Sequence, residues 1–346
     1  MPKTIFTFFL PLLLLPLLST CDRAPEKTAE LLGGKRQKVE LKGEAMGSYY
    51  LITYLGDPIP DLQARVDSLL DAYNLELSAW VPASKLNAFN ESELGVDISG
   101  TEHFIPNLEI AQRVSRATKG AYDPTVAPLV KYWGFGTGAK RESAKINMTE
   151  VTELLTLVGM DNIFLEGTML RKRLPAVQLD LNASAKGYGV DLISELLNAV
   201  GRPDHLIDIG GEMRGGGTKE GQAWNIAIRL PDEDKSKIAR AGVLPLSNGR
   251  AIATSGNYLS YYKVDGETFS HTINPKTGLV ERNRLLSASV LAPDCATADA
   301  YATACLASGP ERALELVEAN PDLEGYFLVR GEDGALETVK SSGLEE

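Results

Sequence analysis

Cysteine and histidine are scarce in this 346-residue sequence, three of each: Cys21, Cys295 and Cys305, and His103, His205 and His271. So few, so scattered, they exclude a Cys/His zinc site and leave oxygen to hold any metal. Basic charge is short as well. Lys and Arg number 35 against 46 Asp and Glu, a net charge of −11, so nucleic acid would bind against the overall field and is disfavoured as a partner. No G-x-G-x-x-G follows a strand-like stretch, which argues against a doubly wound dinucleotide fold. What remains is ordinary globular composition, 44% hydrophobic and 23% charged, enough for one large domain or two modest ones.

The apolar run from Ile5 to Leu18 follows Lys3 and ends at Leu18-Ser19-Thr20-Cys21. It falls short of the roughly 18 to 20 residues that span a bilayer, so a cleaved secretory signal over residues 1–20 is expected. Leu-Ser-Thr-Cys resembles the bacterial lipobox, which predicts lipidation of Cys21 as the mature N-terminus. A plain secreted protein with an incidental Cys21 is the alternative. Residues 21–40 lack a sustained apolar period until the end and read as a tether, leaving 41–340 as the folded domain. Asp22 resembles the signal that retains lipoproteins at the inner membrane of enteric bacteria, on its periplasmic face.

Strand-like stretches occur at Lys38 to Leu41, Ser48 to Tyr54, Val177 to Leu181, His205 to Ile209, Trp224 to Ile228, Ala251 to Thr254, Ser287 to Leu291 and Gly325 to Val329. Apolar faces at helical spacing follow Asp61, a candidate N-cap (Leu62, Val66, Leu69, Leu70, Tyr73), and precede Gly120 and Gly201. The mixture has no βαβ rhythm and points to a single α+β domain of largely antiparallel sheet with packed helices. Cys295 and Cys305 fall on one alanine-rich helical stretch. Ten residues of helix separate them by about 15 Å, too far for a disulfide, so both read as buried free thiols.

Chemistry-bearing residues gather in Gly- and Pro-containing clusters: Ala45-Met46-Gly47-Ser48, Gly120 to Thr125, Trp133 to Gly136, Asp180-Leu181-Asn182-Ala183-Ser184-Ala185-Lys186-Gly187, Asp208 to Glu212, Ala253-Thr254-Ser255-Gly256-Asn257-Tyr258, Ser270 to Gly278, and Ala298 to Ala304. Singly, each reads as a turn or a cap. In this order and spacing they resemble the ApbE family of FAD:protein FMN transferases, from about Gly43 to Val329.

The resemblance implies a T-fold-like ApbE domain that moves FMN from FAD onto a threonine hydroxyl of another protein, releasing AMP, with Mg2+ required. It places the metal at Asp299, Thr303 and the Ala183 carbonyl. Asp299 and Thr303 are four apart, hence on one helical face. Some members carry Asp at the position of Ala302. Around FAD the resemblance places Met46, Trp80 (often Tyr), Ala121, Tyr122 (often Phe), Asp123, Asp180, Lys186 (Glu in some members) and Thr272. His271 is the candidate base, or the group that orients the threonine, because neutral imidazole suits proton abstraction near neutral pH. Expected acceptors are flavoprotein subunits of extracytoplasmic electron-transfer complexes. Each residue also has a plain reading: a helix-dipole charge for Asp299, a back-bonded hydroxyl for Thr303, core packing for Trp80 and Tyr122, a turn cap for Asp123. Two other functions stay open, an FAD pyrophosphatase and a lipid-anchored flavin carrier without chemistry.

Overall fold

The computed structural model describes residues 36–137, 139–230, 240–257 and 261–344. The expected signal, Cys21 and most of the expected tether lie outside them. Lys38 already belongs to the first strand, so the folded part begins inside the stretch expected as tether.

The chain opens with a hairpin, β1 (Lys38–Ala45) and β2 (Ser48–Leu55), followed by α1 (Leu62–Leu77), α2 (Lys85–Glu91) and β3 (Gly95–Asp97). Next come α3 (Phe104–Ala117), α4 (Ala127–Tyr132), α5 (Met148–Leu155), β4 (Ile163–Glu166), β5 (Met169–Lys172) and α6 (Asn182–Ala199). The second half runs β6 (His205–Ile209), β7 (Glu212–Gly216), β8 (Trp224–Arg229), β9 (Arg240–Leu246), β10 (Ala251–Gly256), β11 (Tyr261–Val264), β12 (Glu267–Ser270) and β13 (Leu285–Ala292). Helices α7 (Cys295–Ser308) and α8 (Pro310–Glu318) and strands β14 (Glu324–Arg330) and β15 (Leu336–Lys340) complete it.

Eight strands form one sheet in the order β1-β2-β6-β7-β10-β13-β14-β15, every neighbouring pair antiparallel. The expected α+β class and largely antiparallel sheet are therefore what the chain adopts.

The period of two along each strand divides side chains between two cores. Ile52, Ile207 and Ile209 meet α1 and α6 through Leu62, Val66, Val190 and Ile193, while Ala288, Val290, Phe327 and Val329 lie in the core that holds α7. From the opposite face Ile252, Leu291, Tyr326 and Leu328 pack against the β8–β9 hairpin through Trp224, Ile226 and Leu246. Helix α6 is closed as expected, with Gly201 in the left-handed region at φ +73°.

Two local expectations are corrected. Asp61 stands at the N-cap of α1 but with φ 57°, and its side chain accepts no capping bond. Val177 to Leu181 is not a strand. Its apolar residues Val177, Leu179 and Leu181 are buried, which is why the stretch reads as one, yet it has no ladder partner. The Asn90 side chain takes the place of a neighbouring strand: its Nδ2 donates to the Leu179 carbonyl at 2.9 Å and its Oδ1 accepts the Leu179 N–H at 2.7 Å. Asn90→Ala would leave both buried groups unpaired and should lower stability by about 2–4 kcal/mol. Urea unfolding checks this, and an unchanged midpoint contradicts it.

Candidate active site

Helix α7 carries alanine at every second position from Ala296 to Ala304, so small side chains face its neighbours all round. Its first turn is fastened by two carboxylates. Asp294 accepts the Thr297 N–H at 2.7 Å, and Asp191 of α6 accepts those of Cys295 and Ala296, both at 2.9 Å. Arg214 holds Asp191 in turn at 2.6 Å. Where the helices cross, a Cβ on Gly187 would come 2.3 Å from the Cys295 carbonyl oxygen. Only glycine permits that approach.

The approach brings the Gly187 N–H within 3.1 Å of the Asp299 Oδ2. In the register of α6 the same N–H faces the Ala183 carbonyl, four residues back. Asp299 and the Ala183 carbonyl therefore converge on one donor, which joins two of the three expected metal ligands. Thr303 lies one turn further along α7, its hydroxyl 3.3 Å from that of Ser255 at the end of β10. These donors are all hard oxygens, the chemistry that suits Mg2+. Among the described residues no three of His, Cys, Asp and Glu gather into a metal-holding group, so a cation here would draw on carbonyl, hydroxyl and phosphate oxygen besides Asp299.

Charge in this place is buried and interdependent. Asp299 is 4% exposed, and burial raises its carboxyl pKa while Lys186 opposes the rise. Lys186 donates to Glu212 Oε1 at 2.5 Å. Burial pulls the Lys186 ammonium down, but Glu212 and then Asp299 more than reverse this and leave its pKa raised. Glu212, 3% exposed at the start of β7, is pushed up to about 8, by burial first and by the Asp299 charge second.

Buried Thr272 donates to Asn257, two residues after Ser255, at 2.9 Å, and the neighbouring His271 is exposed. The loop is tied to α7 by Asn274, which donates to the Ala307 carbonyl at 3.3 Å. Tyr122 is buried and donates to Ser184 in the first turn of α6 at 3.2 Å, and burial raises its phenol pKa. Ala121 is buried beside it. Asp123 caps a turn, accepting from the Thr125 N–H and hydroxyl, and Asp180 accepts the Asn182 N–H at 2.8 Å. Met46, at φ 55° in the tip of the β1–β2 hairpin, puts its sulfur 3.1 Å from where a Cβ of Gly189 would stand. Trp80, 63% exposed between α1 and α2, is not core and is not part of this bonded network.

His103 and His205 serve the fold: His103 packs edge-on against Tyr73 and Tyr188, and His205 bonds Ser194 and the Arg202 carbonyl. Cys295 and Cys305 are buried free thiols on α7, as expected. An open groove of about 690 Å³ between α1 and α6, lined by Arg65, Leu69, His103 and Glu195, contains none of the expected site residues. Sequence reasoning missed Glu212, Ser255 and Asn257. All three stand in clusters it had marked, but strand register rather than spacing brings them to α6, α7 and the His271 loop.

The ApbE family profile matches residues 46–327. This chain belongs to the ApbE family. A relative from Vibrio cholerae named FAD:protein FMN transferase is 35% identical, over 88% of this chain and 92% of its own. One of the same name from Haemophilus influenzae is 34% identical, over 89% and 91%. Among solved structures, the flavin transferase ApbE from Vibrio cholerae superposes with a TM-score of 0.79 at 33% identity, covering 90% of this chain and 99% of that one. The apo flavinyl transferase ApbE from Pseudomonas stutzeri also gives 0.79, at 29% identity, covering 91% and 98%.

Gly187→Ala should part α6 from α7 and cost about 1–3 kcal/mol, the range for overpacked interiors. Chemical denaturation measures it, and a variant as stable as the parent would contradict the close approach.

Proposed function

We propose that this chain is an FAD:protein FMN transferase that attaches FMN to a threonine hydroxyl of an acceptor protein and requires Mg2+. The observation that carries the reading is the buried Asp299 bonded to the Gly187 N–H of α6, next to the partly exposed Lys186, on a chain of the ApbE family. In the reaction the threonine Oγ bonds to the FMN phosphorus, the phosphorus–oxygen bond to AMP breaks, and the hydroxyl proton leaves. Charge on the pyrophosphate is the main obstacle. Asp299, Thr303 and the Ala183 carbonyl would hold Mg2+, which supplies neutralisation of the phosphate oxygens. Lys186 adds a fixed positive charge and the N-terminus of α6 the positive end of its dipole.

His271 takes the threonine proton. Its exposure supports this, because a protein acceptor must reach the base from solvent, and the Thr272–Asn257 bond steadies the backbone behind it. Met46, Trp80, Ala121, Tyr122, Asp123, Asp180 and Thr272 bind FAD. Trp80 offers an open ring face, whereas Tyr122 and Asp123, whose polar groups are already engaged, contribute through backbone. The same exposure of His271 favours water as a competing nucleophile, which would make the protein an FAD pyrophosphatase. Anchoring through lipidated Cys21 at the periplasmic face of an inner membrane, with subunits of electron-transfer complexes as acceptors, completes the proposal.

Incubation with FAD, Mg2+ and an acceptor subunit tests it, with protein-bound flavin read on a denaturing gel and AMP by chromatography. Equal amounts of both are expected. Asp299→Ala should lose more than roughly 10²-fold in rate while remaining folded, and His271→Ala should lose roughly 10²-fold with FAD affinity little changed. AMP without protein-bound flavin supports the pyrophosphatase, and neither product overturns both readings.

A further inference from the structure

Glu212 has no part in the reaction described above, yet it occupies the centre of the site. Its side chain is 4% exposed, one oxygen accepts from Lys186 at 2.5 Å, and the other, Oε2, is buried without a hydrogen-bond partner. An ionised carboxylate in that position would leave a buried charged oxygen without a protein donor, an arrangement that is strongly disfavoured. Burial is the first cause that holds the Glu212 carboxyl above its usual range, and it acts whatever charge Asp299 carries. The Gly210-Gly211 turn that precedes β7 delivers the side chain there, with Oε2 3.8 Å from where a Gly210 Cβ would stand.

We propose that Glu212 is a positioning residue that aims the Lys186 ammonium at the flavin pyrophosphate, acting as a hydrogen-bond acceptor and not as a counter-ion. The distinction matters for the phosphates. A counter-ion would cancel the Lys186 charge, whereas an uncharged acceptor fixes the long, rotamer-rich lysine and leaves its charge to the ligand. The inference rests on the FMN transferase reading, since Lys186 is given its task there.

Binding of FAD, followed by flavin fluorescence in the presence of Mg2+, separates the alternatives in the full folded protein. Glu212→Gln retains an acceptor oxygen in the same place and should bind FAD within about twofold of the parent. Glu212→Met keeps the volume without the acceptor and should bind roughly tenfold or more weakly. In a Lys186→Met background the Glu212→Met change should have no further effect, because the group it positions is gone. Circular dichroism and thermal melts establish that each variant is folded. If Glu212→Met fails to fold, the Glu212→Gln result still decides.

A Glu212→Gln protein that binds tenfold more weakly makes Glu212 a counter-ion and overturns the proposal. So does a Glu212→Met loss of the same size with and without Lys186, which would reflect core packing alone. Normal FAD binding by Glu212→Met also overturns it while leaving the transferase reading standing. A parent protein that does not bind FAD overturns both.

Discussion

The contact between α6 and the start of α7 is the constraint on which the rest of the site depends. A carbonyl of one helix lies where any side chain on Gly187 of the other would have to be. That closeness lets Asp299 reach the Gly187 N–H, in the turn of α6 that follows Ala183. Asp191 secures the same contact from the other side by accepting two N–H groups at the start of α7. The bonds that fasten the helices and the groups proposed to face the ligand thus belong to a single junction, built over the middle of the antiparallel sheet.

Burial at this junction makes its charges mutually dependent. Asp299 and Glu212 are both held above the usual carboxylate range, burial being the largest cause for each, and Lys186 lies between them electrostatically. Such a place disfavours isolated charge and gains from ligands that bring complementary charge with them. A divalent cation together with a pyrophosphate is a ligand pair of that kind. His271 stands outside this buried zone, in a loop tied to α7 through Asn274, so under the proposed roles proton removal and phosphate binding would occupy different environments.

Much of this was legible in the sequence because it is local. Alternating strands, glycine-closed helices, and the four-residue spacing of Asp299 and Thr303 follow from periods of 2 and 3.6. The separation of Cys295 and Cys305 followed from helix rise alone. What sequence could not supply was long-range register. Glu212 meets Lys186 because the Gly210-Gly211 turn and the pairing of β6 with β7 carry it there, and Ser255 meets Thr303 across 48 residues. Val177 to Leu181 misled for a related reason: its apolar pattern reports burial truthfully, but a side chain, Asn90, satisfies the backbone that a strand would have paired. Asp61 has the right residue type for a cap and the wrong backbone angle to be one.

The most direct test of the account is a crystal structure of the protein with FAD and Mn2+ in place of Mg2+. The account predicts an anomalous peak bounded by Asp299, Thr303 and the Ala183 carbonyl, with the pyrophosphate against the Lys186 ammonium and the phosphorus facing the His271 loop. A metal away from Asp299, or a flavin seated in the Arg65–His103 groove between α1 and α6, would contradict it.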